Sequence, residues 1–547
     1  MSFFKKLKVL TFFDIIGRFR HILRKHLFIL RFNAQISRHK IIKNNFKILK
    51  LENPDLKPTH LGDLSKYEIL SETIILNDFN FEKPKDIFWF QCNISDYKDI
   101  KVVWEINRMQ FLQPLALNYH FSNDKKTLLL IEKILGDWVS KNTFDIGINY
   151  ASNLEVAIRA LSLFIVNELV GNSLIKEIDI DKLIFMHGLH VYREIPTSAL
   201  TIRNNHSLGE ACVLYLLGRK YEQKRWISRA RKIINRFSHL IDKFGDCIEE
   251  SSNYHLFVTQ MLIIANSADD KGELNLSKII SKSIASLKSL SDVNGDIVLF
   301  GDCDNGLFYN FYGDTKININ KLSLDLFGFK PFETNYVKTG YNKLVNLFEG
   351  DKYKIILLTG PERFHAHSHC LSFILLYNGK VIICDPGTYV YNGEPSWREY
   401  FRSSYAHNCP TVNKQDHSEQ ATNFRLCSKR NKVYSIVNER MIVSEFISKK
   451  HRLKRTIEFS ENSITIKDTS NSCDISEKIL FSPGCEVFEN GNQTYSIDNQ
   501  IKIIVDPKVD SSLQDGPLSP SYGVLCKTKN LDLLTKSNSI SYIIRME

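Results

Sequence analysis

His365, His367 and His369 stand two apart in the stretch Arg363-Phe364-His365-Ala366-His367-Ser368-His369-Cys370-Leu371-Ser372-Phe373. In an extended segment, period-2 alternation puts all three imidazoles on one face. The apolar run Leu371 to Tyr377 follows, then Asn378-Gly379, then Val381 to Cys384. That order predicts a hairpin with a type I′ turn. It ends in Asp385-Pro386-Gly387, and His407-Asn408 comes later. Histidine, aspartate and histidine can bind a borderline metal such as zinc, and a spare histidine can act as a base. A polar strand end with ordinary histidines has the same spacing. Ideal pairing across Asn378-Gly379 sets Asp385 opposite Ser372, roughly 16 Å from His367 at strand rise. A shared ion therefore requires the chain to bend after the histidines.

Two helix entrances carry further candidates. In Arg203-Asn204-Asn205-His206-Ser207-Leu208-Gly209-Glu210, Ser207 and Glu210 fit a capping box. Asn205 and His206 then sit where the helix dipole is positive, and their donors suit a carboxylate. An N-terminal turn whose asparagines serve only the backbone fits equally. Glu249-Glu250-Ser251-Ser252-Asn253-Tyr254-His255 precedes an apolar run. Tyr254 could present a phenol there, although a pKa of about 10 makes it a poor base unless a cation or donor stabilises the phenolate. Ordinary packing is the plainer role. Gly301-Asp302-Cys303-Asp304-Asn305-Gly306 lacks full EF-hand spacing and reads as a tight turn rather than a calcium loop.

The elements that must hold these residues fall into two textures. A chain of 547 residues exceeds one ordinary core. From Trp104 the apolar residues recur at three and four spacing, and helical segments follow at 125–140, 153–170, 180–192, 207–220, 223–243 and 253–267. Short links between them call for antiparallel helical neighbours: a bundle, a solenoid or a closed toroid. After about residue 330, short β-rich runs replace helices: 344–348, 353–358, 371–377, 433–437, 442–447, 463–466, 501–505 and 540–544. These predict an antiparallel, sandwich-like sheet region. Ile87-Phe88-Trp89-Phe90 suggests a short strand in a mixed entry region. The divisions are 1–100, 101–332 and 333–547.

The net charge of +11 is local. Residues 1–50 hold 13 Lys/Arg against Asp14, so the rest of the chain sums to −1. A basic surface for nucleic acid is excluded over most of the fold, and no nucleic-acid motif occurs. The basic, Phe-rich start could rest on an anionic membrane surface, or pack on its own protein. It shows no cleavable signal peptide, and no run of about 20 apolar residues predicts a transmembrane helix. The 11 cysteines are scattered without a C-x-x-C pair. Buried free thiols favour a reducing compartment.

Taken together, the chain resembles the heparinase II/III family of polysaccharide lyases, alginate-lyase-like relatives included. The likeness runs over most of residues 100–410. It rests on Trp104-Glu105-Ile106-Asn107-Arg108, Gly147-Ile148-Asn149-Tyr150 through Arg159, and Asn204-Asn205-His206. It continues through Glu250 to His255, Gly301 to Asp304, His365-Ala366-His367, Asp385-Pro386-Gly387-Thr388-Tyr389, and Arg402 to Asn408. The resemblance implies an α+β multidomain fold, an incomplete (α/α) toroid followed by an antiparallel β-sandwich, with the site between them. It implies eliminative cleavage of a uronic-acid polysaccharide, and a place in the periplasm or cell envelope, with the cytoplasm as the alternative. By motif position, Asn205 and His206 would neutralise the uronate carboxylate, and Tyr254 and His365 would be the acid/base pair. His367, Asp385 and His407 would hold a structural divalent metal, usually zinc, and no organic cofactor is needed. His369 stands where relatives often carry an acid, and Tyr150 where many have tryptophan.

The chemistry agrees with the residue types. A uronate C5 proton is weakly acidic, and neutralising the adjacent carboxylate lowers the cost of removing it. A base then takes the proton and an acid protonates the leaving oxygen. Two other functions are compatible with the sequence: a non-catalytic glycan-binding or assembly protein on the same fold, and a hydrolase. A hydrolase needs two carboxylates flanking the bond. Glu249 and Glu250 are adjacent and cannot supply both, though Glu210 or Asp302 could contribute.

Overall fold

The computed structural model describes residues 46–51 and 81–547, apart from 175–177, 314–315, 341–342, 428–430 and 439. Except for its last five residues, the basic segment 1–50 lies outside the described residues.

The helical part contains α1 (Ile100–Asn107), α2 (Leu112–Ser122), α3 (Lys125–Lys141), α4 (Asn153–Val170) and α5 (Ile180–Thr201). It continues with α6 (Asn205–Lys220), α7 (Lys224–Phe237), α8 (Ser252–Ser267) and α9 (Ser277–Ser289). Helices α2, α4, α6 and α8 pack each against the next, and α3, α5, α7 and α9 back onto them. The sequence explains the two layers. Every residue of α4 from Leu154 to Val166 is buried, as is α8 from His255 to Ala265. A helix apolar all round belongs inside. By contrast α7 buries only Trp226, Ala230, Ile234 and Phe237, a single stripe along a charged helix. The result is an incomplete (α/α) toroid. Helix α5 runs past the expected 192 to Thr201 with Pro196 inside it, and α7 stops at Phe237, short of 243. The strand expected at 87–90 is instead a 3₁₀ turn, Trp89–Gln91. Gln91 Oε1 accepts the Phe88 N–H at 3.1 Å and closes the turn locally.

The β part begins with β1 (Val345–Glu349), β2 (Tyr353–Leu358), β3 (Phe373–Tyr377) and β4 (Lys380–Ile383), an antiparallel sheet in that order. Next come α10 (Pro395–Phe401), β5 (Thr411–Val412), and a small hairpin of β6 (Gln420–Thr422) and β7 (Arg425–Leu426). The remaining strands are β8 (Lys432–Asn438), β9 (Met441–Ile447), β10 (Arg452–Phe459), β11 (Ser463–Ser470), β12 (Ile475–Leu480), β13 (Val487–Glu489), β14 (Thr494–Ile497), β15 (Ile501–Val505), β16 (Asp510–Ser521), β17 (Val524–Thr535) and β18 (Ser539–Met546). They form an eight-stranded sheet, β13-β14-β15-β18-β11-β10-β9-β8, and a four-stranded one, β16-β17-β12-β5. Ile355, Leu357, Phe373 and Leu375 of the first sheet share a core with Ile457, Ile466, Ile479 and Ile544. This is an antiparallel β-sandwich.

The first sheet is buried on both faces. Ile356, Leu358, Ile374 and Leu376 point the other way, onto Leu290, Val298 and Phe300 at the end of the helical part. Double burial explains why β2 and β3 read as unbroken apolar runs rather than alternating ones. The same sheet seats the histidine stretch between its strands β2 and β3, at the seam with the toroid. Asn378 and Gly379 both have positive φ, 48° and 74°, as a type I′ turn requires.

No disulfide links the 11 cysteines. No helix among the described residues is long and apolar enough to cross a membrane.

Candidate active site

Residues 361–372 are not a strand. Glu362, His365 and Leu371 have left-handed backbone, φ 61°, 55° and 70°. Each such residue breaks the alternation, so the three rings do not share one face. His365 turns toward the toroid, and His367 and His369 turn into the β part. The bend demanded by the hairpin arithmetic is present: Leu371 returns its N–H to Leu358 O at 2.8 Å, and the β3–β4 register shifts between Leu375 and Leu376. Asp385 is thereby brought to the histidines.

Asp385 Oδ2 lies 3.5 Å from His407 Nε2 and 3.9 Å from His369 Nδ1, and His407 Nε2 lies 3.1 Å from His367 Nδ1. One ring nitrogen of each of the three histidines lies within 4.8 Å of the others. A tetrahedral zinc with bonds of about 2.0–2.2 Å spaces its ligands by about 3.3–3.6 Å, so the three histidine nitrogens could share one ion, with Asp385 Oδ2 beside two of the rings. Their chemistry fits as well. His369 Nδ1 and Asp385 Oδ2 are buried with no hydrogen-bond partner. Burial pushes the His367 imidazole down to about 4 and those of His369 and His407 well below their usual range. Burial likewise lifts the Asp385 carboxyl to about 8. Neutral imidazoles are the ligating form, and a dication would return Asp385 to carboxylate. The outward nitrogens are tied: His367 Nε2 to Asp302 Oδ1 at 3.1 Å and His407 Nδ1 to Ser403 O at 2.7 Å. That fixes which nitrogen faces the ion. The expected His367, Asp385 and His407 lie together here, with His369 beside them.

On the other side of the seam, Asn204 rather than Ser207 caps α6, accepting the His206 N–H at 3.1 Å. Glu210 is drawn away from the expected box by Ser198 Oγ and by Asn153 Nδ2 at 2.5 Å. Asn205 and His206 are therefore the first two residues of the helix and still face its positive end. Glu249 holds Asn205 by both N–H groups, backbone at 2.8 Å and Nδ2 at 2.7 Å. Asn205 Nδ2 also reaches His365 Nε2 at 3.3 Å. Burial pushes His206 down to about 4, so its ring is neutral and donates one N–H.

Tyr254 enters from α8, capped by Ser251, and its ring stacks on His365 with centroids 3.7 Å apart. Burial first, then Asp304 and Asp302, hold its phenol well above the ordinary value. Its hydroxyl meets Tyr391 at 3.3 Å. Asp302 joins the two halves of the site. Its oxygens take His365 Nδ1 and His367 Nε2, each at 3.1 Å, and Arg398 at 2.6 and 3.0 Å. Burial alone would lift this carboxyl, but Arg398 and both histidines hold it well below its usual range. Gly301 makes the approach possible. Its φ is +68°, and a Cβ there would stand 2.3 Å from Glu250 O and 3.0 Å from His365 O.

These groups open on a cleft of about 420 Å³, walled by Trp104, Phe364, Tyr391 and Phe424 and lined also by Asn205, His206, Tyr254 and His365. Residues 333–472 match the heparinase II/III-like, C-terminal family. That match lies wholly within the β part and covers about a quarter of the chain. A heparin-sulfate lyase of Pedobacter heparinus is 22% identical over 388 residues, 61% of this chain and 55% of that protein. One of Bacteroides stercoris is 22% identical over 437 residues, 70% of this chain and 63% of that one. The match thus spans less than two thirds of either relative. Among solved structures, a heparinase III superposes with a TM-score of 0.59 at 18% identity, covering 93% of this chain and 86% of that one. The Streptomyces coelicolor A3 chondroitin AC lyase, in complex with chondroitin sulphate, gives 0.53 at 8% identity, covering 90% and 80%. The chain thus shares the toroid-and-sandwich fold of those solved structures.

Sequence reasoning missed three contributors. Arg398 and Tyr391 carry no local signal, since each acts through a contact distant in sequence. Asp302 was visible in its Gly-Asp-x-Asp turn, yet only the fold shows that it faces two histidines while Asp304 takes Gly306 N at 2.9 Å. The turn is not a calcium loop, because its two carboxylates have separate partners.

Proposed function

We propose that this protein cleaves a uronic-acid-containing polysaccharide by β-elimination. The stack of Tyr254 on His365 beside the start of α6 carries the reading. It supplies acid, base and carboxylate site around one sugar. The substrate carboxylate docks at Asn205 and His206, where the dipole of α6 favours it. His365 keeps its Nδ1 proton on Asp302, so Nε2 has the free lone pair. Once the carboxylate claims the Asn205 amide, Nε2 is released to take the C5 proton. The C5–H electrons form the C4–C5 double bond and the C4–O bond breaks. Tyr254, kept protonated by burial, gives its proton to the departing oxygen. Proton exchange through water then restores both residues.

Zinc held by His367, His369, His407 and Asp385 would order the β-sandwich side of the cleft. A hydrolase fits less well. Glu249 is engaged by Asn205, Glu210 by Ser198 and Asn153, and Asp302 by Arg398 and two histidines. The names of the relatives, heparin-sulfate and chondroitin lyases, support an acidic glycan. Incubation with uronate polysaccharides should generate the ultraviolet absorbance of an unsaturated product. New reducing ends without that absorbance would instead establish hydrolysis, and binding without cleavage a glycan-binding protein.

The same proposal assigns residues 101–332 to a lyase toroid and 333–547 to the β region. It places the protein at the cell envelope, where residues 1–50, at +12, would touch anionic lipid.

A further inference from the structure

Helix α7, on the outside of the toroid, concentrates positive charge away from the cleft. It holds six Lys/Arg and no acid, whereas the chain beyond residue 50 sums to −1. Its apolar side is already engaged, since Trp226, Ala230, Ile234 and Phe237 are buried. Arg225, Arg229, Lys232 and Arg236 recur at steps of four, three and four. Residues so spaced share one helix face, so the four form a single file with one cation per turn of about 5.4 Å. Arg229 is fixed in the file by Tyr192, whose carbonyl accepts Nη1 at 2.8 Å and whose ring lies 3.9 Å from the guanidinium. Arg225, Lys232 and Arg236 are exposed. Among the described residues, the neighbouring ion pairs are Arg231 with Glu273 and Arg219 with Asp270, and these involve none of the four.

The file has a direction. Helices α6 and α7 pack along each other across the short link 221–223, so they run antiparallel. Asn205 begins α6 at the cleft, and after α7 the chain returns there through Glu249, which holds Asn205. Arg236 therefore lies toward the cleft end of the toroid and Arg225 toward the far end. Resting on the lyase reading, we infer that this file is a second binding surface for the acidic polysaccharide, outside the cleft. A linear polyanion with carboxylates at regular intervals matches a single file of cations. An anionic bilayer suits it less, because a helix that lies on lipid inserts its apolar face, and α7 has turned that face into the protein. The attraction is electrostatic and screened by salt. It raises the capture of long chains and takes no part in bond cleavage.

The test is the triple change Arg225→Gln, Lys232→Gln and Arg236→Gln in the full-length protein, with Arg229 left in place. Long heparan sulfate and hyaluronan chains and their tetrasaccharides are the probes. Binding is read by calorimetry at low and high salt, with Tyr254→Phe added to both proteins so that the chains stay whole. At low salt the triple variant should bind the long chains about tenfold more weakly, the difference should shrink at high salt, and tetrasaccharide binding should not change. With Tyr254 restored, KM for long chains should rise while kcat and tetrasaccharide cleavage stay as in the parent. Equal affinity of parent and triple variant for the long chains overturns the inference and leaves the lyase reading standing. So does an equal loss for tetrasaccharides, or a loss seen with phosphatidylserine vesicles alone, which would assign the file to lipid. Weakened long-chain binding by the triple variant, where the parent cleaves nothing, supports the second surface and removes the lyase reading. Neither binding nor cleavage of any uronate chain overturns both.

Discussion

Replacing Tyr254 by phenylalanine removes one oxygen from the centre of the site. That hydroxyl has a single hydrogen-bond partner, Tyr391 at 3.3 Å, long against the usual 2.7–2.8 Å or so for O–H···O. A neutral hydrogen bond is worth about 0.5–1.5 kcal/mol net, and one of this length lies at the lower end. The ring contacts survive: the stack on His365 at 3.7 Å and the edge contact with Phe257 at 6.0 Å. Stability should therefore fall by less than about 1 kcal/mol, or at most about 1 °C in Tm for a chain this long. Turnover should respond very differently. With no acid for the leaving oxygen, kcat should drop about 10²- to 10⁴-fold, which is about 3–5 kcal/mol of barrier. Product absorbance at saturating substrate gives kcat, and scanning calorimetry gives Tm. A variant that turns over within about threefold of the parent would refute the role of Tyr254 as acid. A variant that loses activity together with many degrees of Tm would show that the hydroxyl holds the fold instead.

Asp302→Asn should cost about 3–5 kcal/mol of stability by leaving the buried Arg398 without its carboxylate. Adding Arg398→Gln should recover part of that stability without recovering kcat, and turnover unaffected by the single change would remove Asp302 from the mechanism. Elemental analysis should find one divalent ion per chain, and a chelator should lower Tm. His369→Ala should weaken metal binding as His367→Ala and His407→Ala do, whereas His365→Ala should keep the metal and lose turnover. A His369→Ala protein with undiminished affinity would return the site to three ligands. Glu210 gives a pH test away from the cleft. Burial lifts its pKa from 4.5 to about 8, so the folded protein holds a proton that the unfolded chain releases. That contribution to stability is fully present below about 4.5 and fades as pH rises to about 8. Relative to Glu210→Gln, the parent should therefore lose Tm across that window, and parallel curves for the two would contradict it.

Texture was the legible part of the sequence. The helical segments were legible from their three and four spacing, whereas the inner place of α4 and the outer place of α7 emerged only with the fold. The strands β2 and β3 were legible as β-rich runs, and the fold adds that both of their faces are buried. The candidate site was legible as residue types and motif order, which led to Asn205, His206, Tyr254, His365, His367, Asp385 and His407. What spacing could not carry was direction. Three histidines two apart share a face only if the backbone is extended, and left-handed turns at Glu362, His365 and Leu371 send them to two destinations. The capping box failed for a related reason: Ser198 and Asn153, remote in sequence, compete for Glu210, and Asn204 takes over the cap. Tyr391 and Arg398 act only through partners brought in by the fold, so no local pattern could announce them.

Asp302 belongs to the toroid side of the seam, and three of its partners, His365, His367 and Arg398, belong to the sandwich side. Around it, Leu290, Val298 and Phe300 seat the first sheet by apolar contact. Rotating one half against the other would strip a buried carboxylate of a guanidinium and two imidazoles at once. These contacts oppose rotation of one half against the other and favour one width for the groove between them. On the lyase reading, a polymer would enter this groove along its open rim. The distance between the phenol of one half and the imidazole of the other is then set at folding rather than at each turnover. It would be inherited by every catalytic cycle, at the expense of any tolerance for bulkier chains.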